Sequence, residues 1–189
     1  MKFIETPLAG AWILELEPAT DERGFFARAF CAQEFSSRGM DPRCAQSNLC
    51  LNLHAGSIRG MHLQLPPAAE AKLVRCIRGA ILDVIVDLRP GSPTFFEHVA
   101  VELSAANRRS LYVPPLFAHG YQVLEDDTEL YYQMSEPYTP GFERGLRFDD
   151  PALGIPWPLP VTLLSAKDAA LPGTSDALVA ELQALKVPA

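Results

Sequence analysis

Proline and glycine cut this chain into pieces too short for long helices. Seventeen prolines and twelve glycines fall between short apolar runs and not inside long ones, so the backbone is repeatedly stopped by a fixed φ, a missing donor or a turn. The runs between them alternate. In AILDVIVDLR (80–89), Leu82, Val84, Val86 and Leu88 occupy one face, while Asp83, Asp87 and Arg89 share the other with Ile81 and Ile85. A period of two marks a strand with one dry face and one mixed face. AKLVRCIRG (71–79) precedes it, and the two runs flank Gly79 as an expected strand pair. GSPTFF (91–96) reads as a turn. EHVAVEL (97–103), RSLYVP (109–114), GYQVLE (120–125) and ELYYQM (129–134) read as further strands.

Helix signals are few. CAQEFSSRG (31–39) suits a short helix ended by Gly39, and SDALVAELQALK places Leu178, Leu182 and Leu185 on one stripe behind a Ser175 or Asp176 cap. No internal repeat, linker or low-complexity tract interrupts the pattern. The expectation is an all-β sandwich or barrel with short peripheral helices: one domain over 1–189, its core at about 3–170, with a short C-terminal helical tail.

Charge narrows the function. A formal net charge of −7 argues against a surface that tracks nucleic-acid phosphates. A few converging arginines can still hold a phosphorylated small molecule. No stretch approaches the roughly 18 apolar residues of a membrane span, and MKFIETPLAG lacks a secretory apolar core. Cys31, Cys44, Cys50 and Cys76 form no CxxC pair and read as reduced, mostly buried thiols. These features predict a cytoplasmic protein with no membrane and no nucleic-acid partner.

Polar residues gather at particular strand-like positions: QSN (46–48), RGMHLQ (59–64), Lys72, FAHGY (117–121), ELYYQ (129–133) and SAKD (165–168). Singly, a strand histidine is a satisfied core residue and a tyrosine a packed ring with a wet tip. Together, histidine, tyrosine, lysine and aspartate suit removal and return of a carbon-bound proton. Histidine is a base near neutrality, a carboxylate fixes its tautomer, a cation holds an enolate, and a second acid serves the opposite face. A metal-binding cupin is the rival, with His62, Glu70 and His119 as a conceivable ligand set. The expected His-x-His is here His62-Leu63-Gln64, and His54 lies in an LHAG turn.

The chain resembles the dTDP-4-dehydrorhamnose 3,5-epimerase family of cupin-type nucleotide-sugar epimerases. The likeness runs from about residue 3 to 170, through DERGFF (21–26), QSN, RGMHLQ, residues 71–95, FAHGY, LYYQMSEPYTP (130–140), DDPALGIPWP (149–158) and LSAKD (164–168). It implies a jelly-roll homodimer, with strand exchange near the N-terminus, that uses no metal or redox cofactor. The implied substrate is a dTDP-linked 4-keto-6-deoxyhexose epimerised at C3 and C5.

By motif, the resemblance makes His62 the general base, Asp168 its carboxylate partner and Tyr132, in preference to Tyr131, the acid on the opposite face. Lys72 would stabilise the enolate. Arg59, Lys72 and His119 would lie near the pyrophosphate and the C4 oxygen, and Tyr138 would stack on thymine. Arg23, Gln46, Asn48, Glu143 and Lys167 would be further substrate contacts. The chain departs from the family pattern at Arg28 (commonly Glu), Ser47 in QSN (commonly QDN), Cys50 and Asn52 (commonly serines) and Gln133 (commonly Lys). A monoepimerase of a related nucleotide sugar and a catalytically silent sugar-binding cupin are the alternative readings.

Overall fold

The computed structural model describes residues 1–174 and 176–185. The strands are β1 (Lys2–Glu5), β2 (Trp12–Glu15), β3 (Ala19–Asp21), β4 (Gly24–Phe26), β5 (Gln46–Asn52), β6 (Ile58–Gln64) and β7 (Lys72–Arg78). Then come β8 (Ala80–Asp87), β9 (His98–Ser104), β10 (Ser110–Val113), β11 (Phe117–Val123), β12 (Thr128–Met134) and β13 (Glu143–Gly145). Three short helices accompany them: α1 (Ala32–Ser36), α2 (Ala166–Ala169) and α3 (Asp176–Gln183).

Two antiparallel sheets face each other, ordered β1-β2-β10-β7-β12-β5 and β13-β6-β11-β8-β9, while β3 and β4, among the described residues, pair with each other alone. From β5 to β8, and again from β9 to β13, the chain changes sheet at each connection. This is the winding of a jelly-roll barrel.

That winding corrects the expected strand pair around Gly79. β7 bonds to β10 and β12, whereas β8 bonds to β9 and β11, so the two runs lie in opposite sheets. Gly79 is the corner between them. Its φ is +71°, and a Cβ there would run into the Thr128 side chain, so glycine serves both the turn and the close approach.

The apolar cores follow the strand alternation. Ile81 and Ile85 of β8 meet Val74, Leu111, Leu130 and Phe117 between the sheets. Val84, Val86 and Leu88 point the other way and pack beneath Leu178 and Leu182 of α3. Both faces of β8 are therefore dry. The face expected to be mixed is the barrel interior, where Asp83 and Asp87 are fully buried with bonded partners. Burying a leucine such as Leu182 is worth roughly 1.5–3 kcal/mol, which is what holds α3 on the sheet. Of the two expected cap residues, Ser175 lies outside the described residues, and Asp176 is the first residue of α3.

A third cluster closes the N-terminal end, where Phe35 of α1 meets Phe3 and Tyr112 edge-on. The expected stop at Gly39 is present, with φ +71°. The thiol expectation needs correction. All four cysteines are free, but only Cys76 is buried. Cys44 lies exposed just ahead of β5, and Cys50 points into the cavity described below. No helix among the described residues is long and apolar enough to cross a membrane.

Candidate active site

The site begins with an irregularity in β6. Against β11, His62 registers with His119 but Arg59 registers with Tyr121, so β6 carries one extra residue between them. In a regular strand residues three apart point to opposite faces. This bulge lets Arg59 and His62 line the same cavity. Two glycines make it feasible. Gly60 has φ +133°, and a Cβ on Gly120 opposite would meet the Arg59 carbonyl at 2.8 Å and Gly60 Cα at 3.0 Å.

The cavity measures about 910 Å³ and lies between the sheets, within the usual size range for small-molecule sites. His62, half-buried, meets Asp168 at 2.7 Å through Nε2. Asp168 reaches it because the chain before α2 is pinned to β6: Ile58 N–H donates to the Leu163 carbonyl and Ile58 bridges Leu164. Ser165 then caps α2 by accepting from the Asp168 N–H at 3.0 Å, which fixes a carboxylate only 5% exposed. A carboxylate accepts and does not donate, so Nε2 carries the proton and Nδ1 is the basic nitrogen. Burial pushes His62 below its ordinary 6.5. Asp168 opposes that shift, and the charges of Lys72 and His119 add to it. The ring is neutral at physiological pH.

His119 repeats the arrangement on the neighbouring strand. Its Nε2 meets Asp83 Oδ1 at 2.7 Å, and Asp83 is completely buried. Lys72, itself buried, reaches the His62 carbonyl at 3.2 Å and pairs with Glu70 at 2.9 Å. Glu70 also accepts from Gln64 Nε2 at 3.2 Å. The conceivable metal set of His62, Glu70 and His119 is thus turned toward other partners, and among the described residues no group of three such side chains converges on an ion position.

Opposite stands β12. Alternation turns Tyr132 inward to the cavity and Tyr131 outward, where its hydroxyl donates to Ser47 at 3.1 Å. Burial raises the Tyr132 phenol, the Cys50 thiol adds to that, and the Arg59 guanidinium lowers it. Arg59 in turn donates through Nε to Asn52 at 2.8 Å.

The cavity mouth collects the remaining residues. Gln46 bridges Asn48 at 3.0 Å and accepts the Tyr138 N–H at 3.0 Å. The half-exposed Tyr138 ring donates its hydroxyl to Glu143 at 3.1 Å. Backbone N–H groups, chiefly, with the Tyr138 hydroxyl, hold Glu143 below the ordinary carboxylate value. Lys167 completes this rim.

Of the twelve sequence-predicted site residues, the structure gathers His62, Tyr132, Asp168, Lys72, Gln46, Asn48, Arg59, His119, Tyr138, Glu143 and Lys167 around one cavity. Arg23 is the exception. It sits on the β3–β4 hairpin, bound to Asp21 and outside this cavity. Sequence reasoning missed Asp83 as the partner of His119 and Asn52 as the partner of Arg59. The acidic position within the apolar alternation of β8 was the signal for the first.

A model of the dTDP-4-dehydrorhamnose 3,5-epimerase family matches residues 5–176. A dTDP-4-dehydrorhamnose 3,5-epimerase of Sinorhizobium fredii is 41% identical over 188 residues, 99% of this chain and 96% of that protein. Among solved structures, a dTDP-6-deoxy-D-glucose-3,5-epimerase of Legionella pneumophila in complex with dTDP-4-keto-L-rhamnose superposes with a TM-score of 0.86. It is 37% identical and covers 94% of this chain and 96% of its own. A 3'-monoepimerase of Streptomyces bikiniensis in complex with dTDP-quinovose gives a TM-score of 0.85, 35% identity, and coverage of 94% and 90%.

Proposed function

The chain belongs to the dTDP-4-dehydrorhamnose 3,5-epimerase family, and from that premise we propose how its residues divide the work. The reaction is an isomerisation: epimerisation of a dTDP-4-keto-6-deoxyhexose, a step of dTDP-rhamnose biosynthesis. The C4 ketone makes the neighbouring C–H bonds acidic. Neutral His62 takes that proton on Nδ1, and Asp168 stabilises the imidazolium that forms. The electron pair moves onto the C4 oxygen, where the Lys72 ammonium is the nearby donor; His119, whose proton is held on Nε2 by Asp83, lines the same wall. Tyr132 gives its phenolic proton to the carbon from the opposite face, which inverts the centre. For double epimerisation the cycle runs at C3 and C5 in turn.

Binding follows from the same geometry. Arg59 is the diphosphate ligand. Tyr138 offers a half-exposed ring for the thymine, and Gln46, Asn48, Glu143 and Lys167 ring the nucleotide end. The observation that carries the reading is the 2.7 Å His62–Asp168 contact facing Tyr132 across one cavity.

We read the assembly as a homodimer. Phe25 and Phe26 are 48% and 80% exposed on a hairpin that pairs with no other strand among the described residues, and Leu49, Leu51 and Tyr131 are exposed on the outer face of β5 and β12. Such apolar exposure favours a partner, and exchange of the hairpin would carry Arg23 to the partner's cavity. Four free cysteines fit a reducing cytoplasm.

The test is NMR of dTDP-4-keto-6-deoxyglucose in D₂O. Deuterium should enter at C3 and C5 with the wild-type chain and nearly vanish with His62→Ala and Asp168→Ala. Normal exchange in both variants discards the mechanism. The similarity to a 3'-monoepimerase supports a second reading, single epimerisation, which the same spectra identify by exchange at one carbon only.

A further inference from the structure

Asn52 ends β5 with a side chain that is 4% exposed and bonded at both ends. Its Nδ2 donates to the Thr128 carbonyl at 3.3 Å, which ties the amide to the neighbouring strand. Its Oδ1 collects three donors: Arg59 Nε at 2.8 Å, the Tyr121 hydroxyl at 3.3 Å and the Cys50 thiol at 3.7 Å. Tyr121 Oη and Cys50 Sγ also lie 3.5 Å apart, so the acceptor sits in a closed polar knot.

The grip falls on one particular nitrogen. Holding Arg59 by Nε leaves its two Nη groups as a planar edge, and among the described residues no carboxylate pairs with it. Two parallel N–H donors match two oxygens of a phosphate. A long side chain restrained in advance loses less freedom when it binds.

We propose that Asn52, backed by Tyr121 and Cys50, is the positioning residue that aims the Arg59 guanidinium at a phosphoryl oxygen of the bound dTDP-sugar. This rests on the reading of Arg59 as the diphosphate ligand. Asn52 touches no reacting atom and acts through Arg59 alone.

Calorimetric titration with dTDP and with thymidine tests it, using Asn52→Ala, Arg59→Ala and the double variant, each checked for folding by thermal melt. Asn52→Ala should weaken dTDP about tenfold, within the coupling seen for residues in contact, and leave thymidine unchanged. KM for the sugar nucleotide should rise more than kcat falls. Asn52→Asp, which keeps an oxygen for Nε–H, should restore most of the dTDP affinity. In the Arg59→Ala background, Asn52→Ala should cost nothing further. An equal loss in that background, or an equal loss for thymidine, overturns the proposal while leaving Arg59 as a phosphate ligand. Undiminished dTDP binding by Arg59→Ala sinks the reading of Arg59 and the proposal with it. Should Asn52→Ala fail to fold, Tyr121→Phe with and without Arg59→Ala decides on the same additivity criterion, from a smaller loss of about threefold.

Discussion

His62 and His119 are direct register partners across β6 and β11, and each ring gives its Nε2 to a different aspartate. The two carboxylates arrive from unrelated directions. Asp168 comes from a short helix that packs against β6, and Asp83 from the next strand of the same sheet. Two imidazoles with fixed tautomers thus stand side by side on one cavity wall. By the proposed mechanism His62 carries the proton, while His119, whose own proton is held by Asp83, shapes the wall beside it.

The pH profile should be broad. His62 must be neutral to act, and burial holds it below 6.5, so the acidic limb of kcat/KM should fall below that value. Tyr132 must be protonated, and burial lifts it above 10.0, so the alkaline limb should lie beyond that. Asp168→Asn removes the group that raises the His62 pKa. The acidic limb should then move to still lower pH, while the maximal rate drops roughly 10²- to 10⁴-fold. An unmoved limb would detach Asp168 from the base.

Tyr132→Phe should lower turnover by roughly 10²-fold or more. Tyr131→Phe removes a hydroxyl that, among the described residues, bonds Ser47 on the outer face, and turnover should stay within about twofold. Steady-state rates of the two variants separate adjacent tyrosines that composition alone makes equivalent.

Gly79→Ala should destabilise the fold by roughly 1–3 kcal/mol, since φ +71° and the Thr128 side chain both oppose a methyl group. Urea unfolding should show the midpoint falling with an unchanged slope. A silent substitution would mean that the corner can be rebuilt without left-handed backbone.

Sedimentation should find two copies per particle. Phe25→Asp with Phe26→Asp places charge on the exposed hairpin and should shift the chain toward monomer at micromolar concentration, with the cavity residues untouched. If the hairpin carries Arg23 into the partner's cavity, affinity for dTDP should fall in the same variant.

What could be read from residues alone has a physical limit. Strand alternation is a local property, and Leu82 to Leu88 displayed it. Pairing is not local, and Gly79 is equally consistent with a hairpin or a corner until β10 and β12 claim β7. The His62–Asp168 contact spans 106 positions. It was foreseen because both lie in motifs that travel together, not through any periodicity. Asp83 and His119, 36 positions apart, had no such motif to join them. Asn52 stood out only as a departure from a common serine, which flags a difference without saying what the new amide would hold.

The one-residue excess of β6 over β11 gives the site a dependence on counting as well as on chemistry. Inserting one residue into β11 between His119 and Tyr121 would remove no functional side chain, yet it would restore an even ladder, three positions against three, and swing Arg59 to the barrel's outer side. Every ligand would still be encoded, and the phosphate end of the cavity would be empty of its guanidinium. An insertion or deletion elsewhere in a loop is absorbed locally; here the parity of a single strand decides whether anion recognition and proton abstraction share a room.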